Sequence, residues 1–462
     1  MSQLETALST ADTNLPSSLE TLFELVKIPS ISTDPEYKDQ CQRAATFLSD
    51  YLNTLGFDAS VRATTGHPMV VGQYNGAGED APHVLFYGHY DVQPVDPIDL
   101  WDDDPFDPQI KERNGSKVIT GRGTSDDKGQ LMTFVEACRA YKETSGVIPC
   151  NITILFEGEE ESGSPSLQPF LEVNHDDLKA DFALVCDTGM WDKQTPAIPT
   201  SLRGLLGEEV TIHAADRDLH SGLYGGSAAN PITILSRIIA DIHDDEGRIT
   251  IDGFYDGVEE TPQHIKDMWS GLGQTDQEFL GEIGLSENFG EKGRSFQELT
   301  WARPTAEING ITGGYTDDGF KTVIPAQASA KISFRLVGKQ DPDKLRIAFR
   351  KFVNERLPSD CSASFEEHGA SGGIQLSYDS PLIKKAMSAL SDEWPKPAVL
   401  VGGGGSIPIV GDFQTFLGME SLLVGFGLAD DQLHSPNEKY ELNSFHKGIR
   451  SWIRILHELS EK

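Results

Sequence analysis

Four short apolar runs in this sequence each lead into a carboxylate or a histidine. In chain order, the first run leads into His89 and Asp91, and the second leads into the acidic segment 159–161. The third leads to Asp187, and the fourth leads, after a short loop, to His434. Short apolar runs bounded by turn residues are typical of buried strands. In an open α/β sheet, ligands bind just beyond the carboxyl ends of the strands. The pattern therefore predicts a divalent cation site at one sheet edge, because histidine and carboxylate side chains are suitable ligands.

Another pair of carboxylates lies in the glycine-rich segment 121–129. Asp126 and Asp127 stand where a predicted helix, residues 127–143, begins. Taken alone, they are compatible with an N-cap pair or with a carboxylate that bridges two cations. The sequence around them does not decide between these two interpretations.

The acidic run Glu159–Glu161 also has two interpretations. Charge clusters are usually solvated surface, but this run directly follows a predicted buried strand, where repulsion would be severe without a cation. In an extended chain His89 and Asp91 point the same way. Asp91 can therefore orient a metal-bound His89.

Length and charge limit the fold and the partners. The 462 residues exceed one usual compact core, so two domains are expected. The formal net charge of −34 predicts binding to neither nucleic acid nor anionic membranes. The five cysteines are widely spaced, which favours reduced thiols in a cytoplasmic protein over a disulfide framework. Residues 1–16 lack a signal-peptide pattern, and no apolar run approaches the roughly 20 residues of a membrane helix.

The order of predicted elements indicates the fold class. Strands and helices alternate up to about residue 200, which predicts an α/β domain with a mostly parallel sheet. A first helix is expected to start at Ser17 or Ser18. From residue 205 the pattern changes to alternating strands, a helix from Pro231 and a polar stretch at 252–300, which predicts an inserted α+β domain for lid closure or dimerisation. The expected division is 1–204 and 379–462 for the catalytic domain and 205–378 for the insertion.

Taken together, these segments resemble the M20 family of metallopeptidases, and within it the branch of carnosinase and cytosolic non-specific dipeptidase. The resemblance covers nearly the whole chain. Its specificity comes from the order and spacing of motifs that are weak one by one: GHYDVQP, GRGTSDDKGQ, FEGEEESGS, VCDTGMW, DLHSG, KTVIP, SFRLV, GGSIP and DDQLHSPNEK.

The resemblance implies a centre of two divalent metals, with Zn²⁺ expected and Mn²⁺ or Co²⁺ as alternatives. His89 and Asp187 would hold one metal, Glu161 and His434 the other, and Asp126 would bridge them. The peptide bond from Asp126 to Asp127 is expected to be cis. Glu160 would act as general base towards a metal-bridging water that attacks the amide bond of a dipeptide or short peptide.

The resemblance also implies residues that contact the substrate. His220 would act across the interface of a homodimer, on the partner subunit's substrate. Thr322, Arg335 and His368, together with Gly405 and Ser406, would bind the substrate. Related dipeptidases often carry Arg-Glu or a similar acidic pair just before GGSIP, where this chain has Gly402 and Gly403. This departure concerns recognition of the substrate amine rather than hydrolysis.

Three functions remain open at this level. The first is a dipeptidase or exopeptidase, and the second is an N-acyl amino-acid deacylase or desuccinylase that uses the same machinery. The third is an inactive, peptidase-like binding protein, which the full set of ligand positions argues against. The sequence does not identify the peptide, the native metal or the pathway.

Overall fold

The chain folds into two compact units. The structure, a computed structural model, describes residues 2–404 and 408–461. The first unit comprises residues 1–199, 377–400 and 412–462, and the second comprises residues 200–376 and 401–411. The assignment of residues 401–404 and 408–411 to the second unit was not expected. The division at residues 204 and 378 into a catalytic and a lid or dimerisation domain remains a prediction.

The described residues form 18 strands. In chain order they are β1 (Asp58–Arg62), β2 (Met69–Tyr74), β3 (His83–His89), β4 (Gln109–Arg113), β5 (Ser116–Thr120), β6 (Asn151–Glu157), β7 (Phe182–Val185), β8 (Ala197–Leu202), β9 (Gly204–His213), β10 (Leu219–His220), β11 (Thr305–Gly313), β12 (Val323–Ile324), β13 (Gln327–Leu336), β14 (Ser362–Ser371), β15 (Ile374–Gln375), β16 (Val399–Gly403), β17 (Glu420–Leu423) and β18 (Lys439–Glu441).

The helices of the described residues range from one turn to seven. They are α1 (Gln3–Val26), α2 (Lys38–Thr54), α3 (Lys128–Ser145), α4 (Leu167–Val173), α5 (His175–Leu178), α6 (Ser221–Tyr224), α7 (Pro231–Ala240), α8 (Gln263–Ser270), α9 (Asp276–Gly281), α10 (Pro342–Asn354), α11 (Pro381–Glu393), α12 (Pro408–Asp412) and α13 (Leu442–Ser460).

The main sheet of the first unit has the strand order β1-β2-β6-β3-β7-β17. The four strands predicted from the apolar runs, β3, β6, β7 and β17, are adjacent and parallel. Their side chains are almost all buried, as expected for strands covered on both faces. The expected α/β class with a mostly parallel main sheet is confirmed. The carboxyl ends of the four strands share one edge.

Aromatic packing holds helices against this sheet. Phe86 of β3 stacks on Phe134 of α3 with ring centroids 3.8 Å apart, and both contact Trp452 of α13 edge-on. This packing fixes α3, and therefore the loop that precedes it, relative to the strand ends. Trp452 Nε1 also donates a hydrogen bond to Thr133 of α3, so its buried polar group is satisfied.

The expected start of the first helix was wrong. Helix α1 begins at Gln3 rather than near Ser17, with Ser2 and Glu5 forming a capping box and Pro16 inside the helix. Side chains of its first half contact α3: Thr10 bonds to Thr144, and Asn14 donates to Glu143. These tertiary contacts offset the poor helix propensity of Pro16.

The second unit is built on an antiparallel sheet with the order β11-β13-β9-β14. Strands β9 and β13 alternate between buried and partly exposed residues, so each has one apolar and one polar face. Apolar side chains of α7 and α10 pack with the apolar face in one core. The expected α+β architecture of the insertion is confirmed.

Within the described part of the chain, no helix combines the length and the apolar character that crossing a bilayer requires. The cytoplasmic location remains a prediction.

Candidate metal centre

Four of the five ligand candidates of the first unit end or follow parallel strands of the main sheet, and the fifth, Asp126, comes from a different segment. His89 is the last residue of β3, and Asp187 follows β7 after one buried cysteine. Glu161 belongs to a 3₁₀ turn, Glu160–Ser162, that begins three residues after β6. His434 lies in the loop that joins β17 to β18. Asp126 comes from the loop that opens α3.

The five side chains form two groups that share Asp126. His89, Asp126 and Asp187 make up one group, and Asp126, Glu161 and His434 the other, with the ligand atoms of each group within 4.8 Å of one another. His89 Nε2 lies 3.1 Å from Asp126 Oδ1, and His434 Nε2 lies 2.9 Å from Asp126 Oδ2. Each carboxylate oxygen of Asp126 therefore faces a different histidine, as a bridging ligand requires.

The remaining distances complete the two groups. His89 Nε2 is 4.0 Å from Asp187 Oδ2, and His434 Nε2 is 3.3 Å from Glu161 Oε2. The peptide bond between Asp126 and Asp127 is cis, as the resemblance implied. Asp127 points elsewhere: its Oδ2 accepts a hydrogen bond from the backbone N–H of His89 at 3.0 Å.

Asp91 connects the two sides of the site. His89 Nδ1 lies 3.1 Å from the backbone carbonyl oxygen of Asp91 and 3.4 Å from its carboxylate. The same carboxylate accepts hydrogen bonds from the backbone N–H groups of Glu160 and Glu161, at 3.3 and 3.1 Å. Asp91 thus holds the turn that carries two acids in addition to orienting one imidazole.

Glu438 fixes the Asp126 loop, and the sequence reasoning did not single it out. Its carboxylate is fully buried and accepts bonds from the Arg122 guanidinium and from the backbone N–H groups of Gly123, Ser125 and Asp126, at 2.8–3.1 Å. Its place in the DDQLHSPNEK motif was the available signal. Asp431, which accepts a hydrogen bond from the Ser125 hydroxyl at 2.8 Å, was not singled out either.

The electrostatics of the site depend on burial. Burial, reinforced by the charge of Asp126, raises the pKa of Glu161 to about 8, and similarly that of Asp187 to about 7. The hydrogen bond to Asp126 raises the pKa of His434 to about 9. Despite burial, hydrogen bonds from His434 and His89 hold the pKa of Asp126 well below its usual range.

This donor set fits divalent cations of the zinc type. Three carboxylates and two imidazoles converge in two groups, with two histidines that calcium would not select. Glu161 and Asp187, whose pKa values burial raises, have no Lys or Arg within ion-pair distance among the described residues. A cation at each group would supply the missing positive charge.

Glu160 differs from the ligand candidates beside it. Its side chain is partly exposed, and among the described residues its carboxylate has no hydrogen-bond or ion-pair partner. Burial raises the pKa of this carboxyl above its ordinary value. The arrangement leaves Glu160 available to exchange a proton.

The remaining candidates belong to the second unit. His220 is exposed at the end of β10, and its Nδ1 accepts the N–H of Gly222 at 3.0 Å. Thr322 adjoins it, because its carbonyl oxygen accepts the N–H of Ser221 at 3.0 Å. Arg335 and His368 lie on β13 and β14, on either side of β9. Gly405 and Ser406 lie outside the described residues.

Comparison with known proteins places the chain in a family. The sequence model of the peptidase family M20/M25/M40 matches residues 85–458, so the chain belongs to this family. The chain is 31% identical to the Cys-Gly metallodipeptidase dug1 of Schizosaccharomyces pombe over 95% of its own length and 94% of the relative's.

Two solved structures extend the likeness to the fold. Human carnosine dipeptidase 1 matches with a TM-score of 0.73 and 25% identity, covering 100% of both chains. The M20 family metallo-carboxypeptidase Sso-CP2 of Sulfolobus solfataricus matches with a TM-score of 0.76 and 30% identity, over 96% of this chain and 99% of the other. The predicted family, its dipeptidase branch and its metallopeptidase class are confirmed.

Proposed function

We propose that the protein hydrolyses the amide bond of dipeptides or short peptides at a centre of two divalent metals. The observation that carries this proposal is the pair of ligand groups sharing Asp126, with the unpartnered Glu160 beside them. Zn²⁺ is the proposed metal, with Mn²⁺ or Co²⁺ as alternatives. His89, Asp126 and Asp187 would hold one ion, and Asp126, Glu161 and His434 the other.

The metals and the protein would have separate tasks. Bound cations lower the pKa of a water towards about 7 and polarise the scissile carbonyl. Glu160 would accept the proton of the attacking water and deliver it to the leaving amine, for which its raised pKa is suited. Asp91 would keep Glu160 in place through the backbone of the turn.

The substrate class follows from the relatives and from Arg335. The relatives named above are a Cys-Gly dipeptidase, a carnosine dipeptidase and a carboxypeptidase. A planar guanidinium suits a substrate with a free carboxylate. Arg335 would bind this carboxylate, and Thr322, His368, Gly405 and Ser406 would contact the rest of the substrate.

A homodimer is part of the proposal, with His220 polarising the scissile carbonyl in the partner subunit. His220 is exposed, and so are apolar side chains of the adjoining segments: Leu223 of α6 is 77% exposed, and Phe320, three residues before the strand partner of His220, is 92% exposed. Exposed apolar side chains of this size are typical of surfaces that become buried on association.

A hydrolysis screen tests the function. We expect the zinc- or manganese-loaded protein to cleave dipeptides and to cleave their C-terminal amides poorly. Faster cleavage of N-acyl amino acids than of any dipeptide would instead assign a deacylase. No hydrolysis of either class by metal-loaded protein would favour the binding-protein alternative.

Mixing two inactive variants tests the shared site. His220→Ala and Glu160→Gln subunits should regain activity when they exchange, because one site of each mixed dimer then has both intact groups. Subunit exchange is verified separately with differently tagged chains. Exchange without recovery would place His220 in its own subunit's site or outside catalysis.

A further inference from the structure

The second unit contains a cavity of about 890 Å³ whose walls include β11, β13 and the segment between α9 and β11. This volume is within the range of small-molecule sites, about 300–1,000 Å³. Arg335 lines the cavity, and so does a second arginine, Arg203, to which neither the motifs nor the resemblance drew attention. Arg203 directly precedes β9, at the end of that strand where Leu205 pairs with Arg335.

Arg203 contacts backbone oxygens rather than a carboxylate. Its Nε donates to the carbonyl of Gly404 at 3.1 Å, and its Nη1 donates to that of Leu299 at 3.4 Å. These acceptors orient the guanidinium without neutralising it. The two guanidiniums line the same cavity, and burial together with the charge of Arg335 lowers the pKa of Arg203 to about 10.

The carboxylates of the cavity do not neutralise this pair. Among the described residues, neither Arg203 nor Arg335 has an ion pair within 4.0 Å. Glu291 is paired with Arg303 at 2.9 Å. Glu307 also lines the cavity, but it is exposed, and its charge offsets that of Arg203 only in part, from beyond ion-pair distance. The other two acids of the lining, Asp244 and Asp245, also form no ion pair with either arginine.

Within the described part of the chain, the cavity therefore combines two guanidiniums that have no carboxylate at ion-pair distance. Bringing like charges together in a partly buried site is unfavourable unless a ligand supplies negative charge. One carboxylate would satisfy Arg335 in the proposed function. Arg203 would then still lack an anionic partner.

We propose that this cavity binds a second carboxylate, so that the preferred substrates are peptides whose C-terminal residue is acidic. The inference rests on the proposed function for its first carboxylate, which Arg335 holds. The side-chain carboxylate of a C-terminal Asp or Glu would bind Arg203, whose free guanidinium nitrogen suits such an acceptor. Arg203 would thus be a specificity-determining residue.

Matched substrates test the proposal on the metal-loaded full-length protein. Ala-Glu and Ala-Gln differ in one charge at nearly constant shape, as do Ala-Asp and Ala-Asn. We expect kcat/KM to be about tenfold or more higher for each acidic member, since a charge-assisted hydrogen bond contributes about 1.5–3 kcal/mol. Arg203→Met should bring the Glu-to-Gln ratio close to one, and Arg203→Lys should retain part of the preference.

Lys344→Met is the matched control. It removes one positive charge from α10 of the same unit, at a side chain that is 83% exposed and does not line the cavity. The control should leave the Glu-to-Gln ratio as in the unmodified protein. Circular dichroism and thermal unfolding of Arg203→Lys and Arg203→Met verify that both variants fold.

The outcomes separate this inference from the proposed function. If dipeptides are cleaved but Ala-Glu and Ala-Gln react equally, a second anion subsite is refuted while the peptidase stands. An acidic preference that persists in folded Arg203→Met, or disappears equally in Lys344→Met, also refutes the role of Arg203. Absence of cleavage of every peptide refutes the proposed function and, with it, the inference.

Discussion

Two acidic sites in the first unit differ in how many cationic side chains the fold places around them. Glu393, at the end of α11, is surrounded by cations of α13: its carboxylate accepts bonds from Lys447 and Arg450 at 3.0 and 2.8 Å and from Arg454 at 2.9 Å. These hydrogen bonds lower the pKa of Glu393 in spite of burial. Its carboxylate is therefore ionised and compensated by the chain itself.

The candidate metal centre has the opposite balance. Glu161 and Asp187 are partly buried beside Asp126, and the pKa values of these two acids are raised to about 8 and about 7. The only basic side chains among the ligand candidates are His89 and His434. Buried acid is therefore not by itself a sign of a metal site. The informative feature is buried acid for which the fold provides too few cations.

The largest expected effect comes from removing the shared ligand. Asp126→Asn should lose most metal from both groups and all measurable hydrolysis, because Asp126 contacts both histidines. Elemental analysis should find about two ions per chain in the unmodified protein. Glu172→Gln, at an exposed acid of α4, is the charge-matched control. Full metal content and activity in Asp126→Asn would contradict the shared-ligand assignment.

A smaller effect is expected at Glu160. Glu160→Gln should retain its metal and its fold but lower kcat by a factor of about 10² to 10⁴, because only the proton acceptor is lost. Glu161→Gln should instead lose metal. Metal content and steady-state kinetics of the two variants distinguish the roles. Metal loss in Glu160→Gln with retention in Glu161→Gln would reverse them.

The smallest effect is expected at the compensated acid. Glu393→Gln should lower the free energy of unfolding by about 2 kcal/mol at pH 7, because three charged donors lose an ionised acceptor. It should leave metal content and kcat unchanged. Chemical denaturation with and without the substitution measures the difference, and Glu420→Gln, at an exposed acid, serves as control.

The pH dependence of that difference has a defined sign. The pKa of Glu393 is lower in the folded protein than the ordinary 4.5. Its stabilisation is therefore complete above the unfolded-state pKa and is lost as pH falls through the folded-state pKa. The unfolding curves of the two proteins should converge in acid. A difference that stays constant to low pH would show that the charge of Glu393 is not responsible.

The sequence predicted the main sheet because its signals are local. Continuous apolar runs specify β3, β6, β7 and β17, and parallel strands necessarily bring their carboxyl ends to one edge. Membership of a metallopeptidase family followed from motif order. Thus the strand ends that lead to His89 and Asp187 could be located from the sequence alone.

Other features depend on contacts that no local pattern encodes. The first turns of α1 are helical because they pack on α3, so a start based on Ser17 was wrong. Glu438 is an ordinary acid in sequence and becomes significant only where three backbone N–H groups meet it. Arg203 likewise gains its meaning from Arg335 on a strand more than a hundred residues later.

The bonds of Glu438 also have a consequence for biosynthesis. They join the loop of Asp126 to a segment 312 residues further along the chain. His434, which completes the second ligand group, comes from the same late segment. A ribosome adds these residues long after Asp126, and contacts of such long range form late in folding. The growing polypeptide therefore lacks one ligand candidate, His434, and the carboxylate that holds the Asp126 loop until residue 438 has been added.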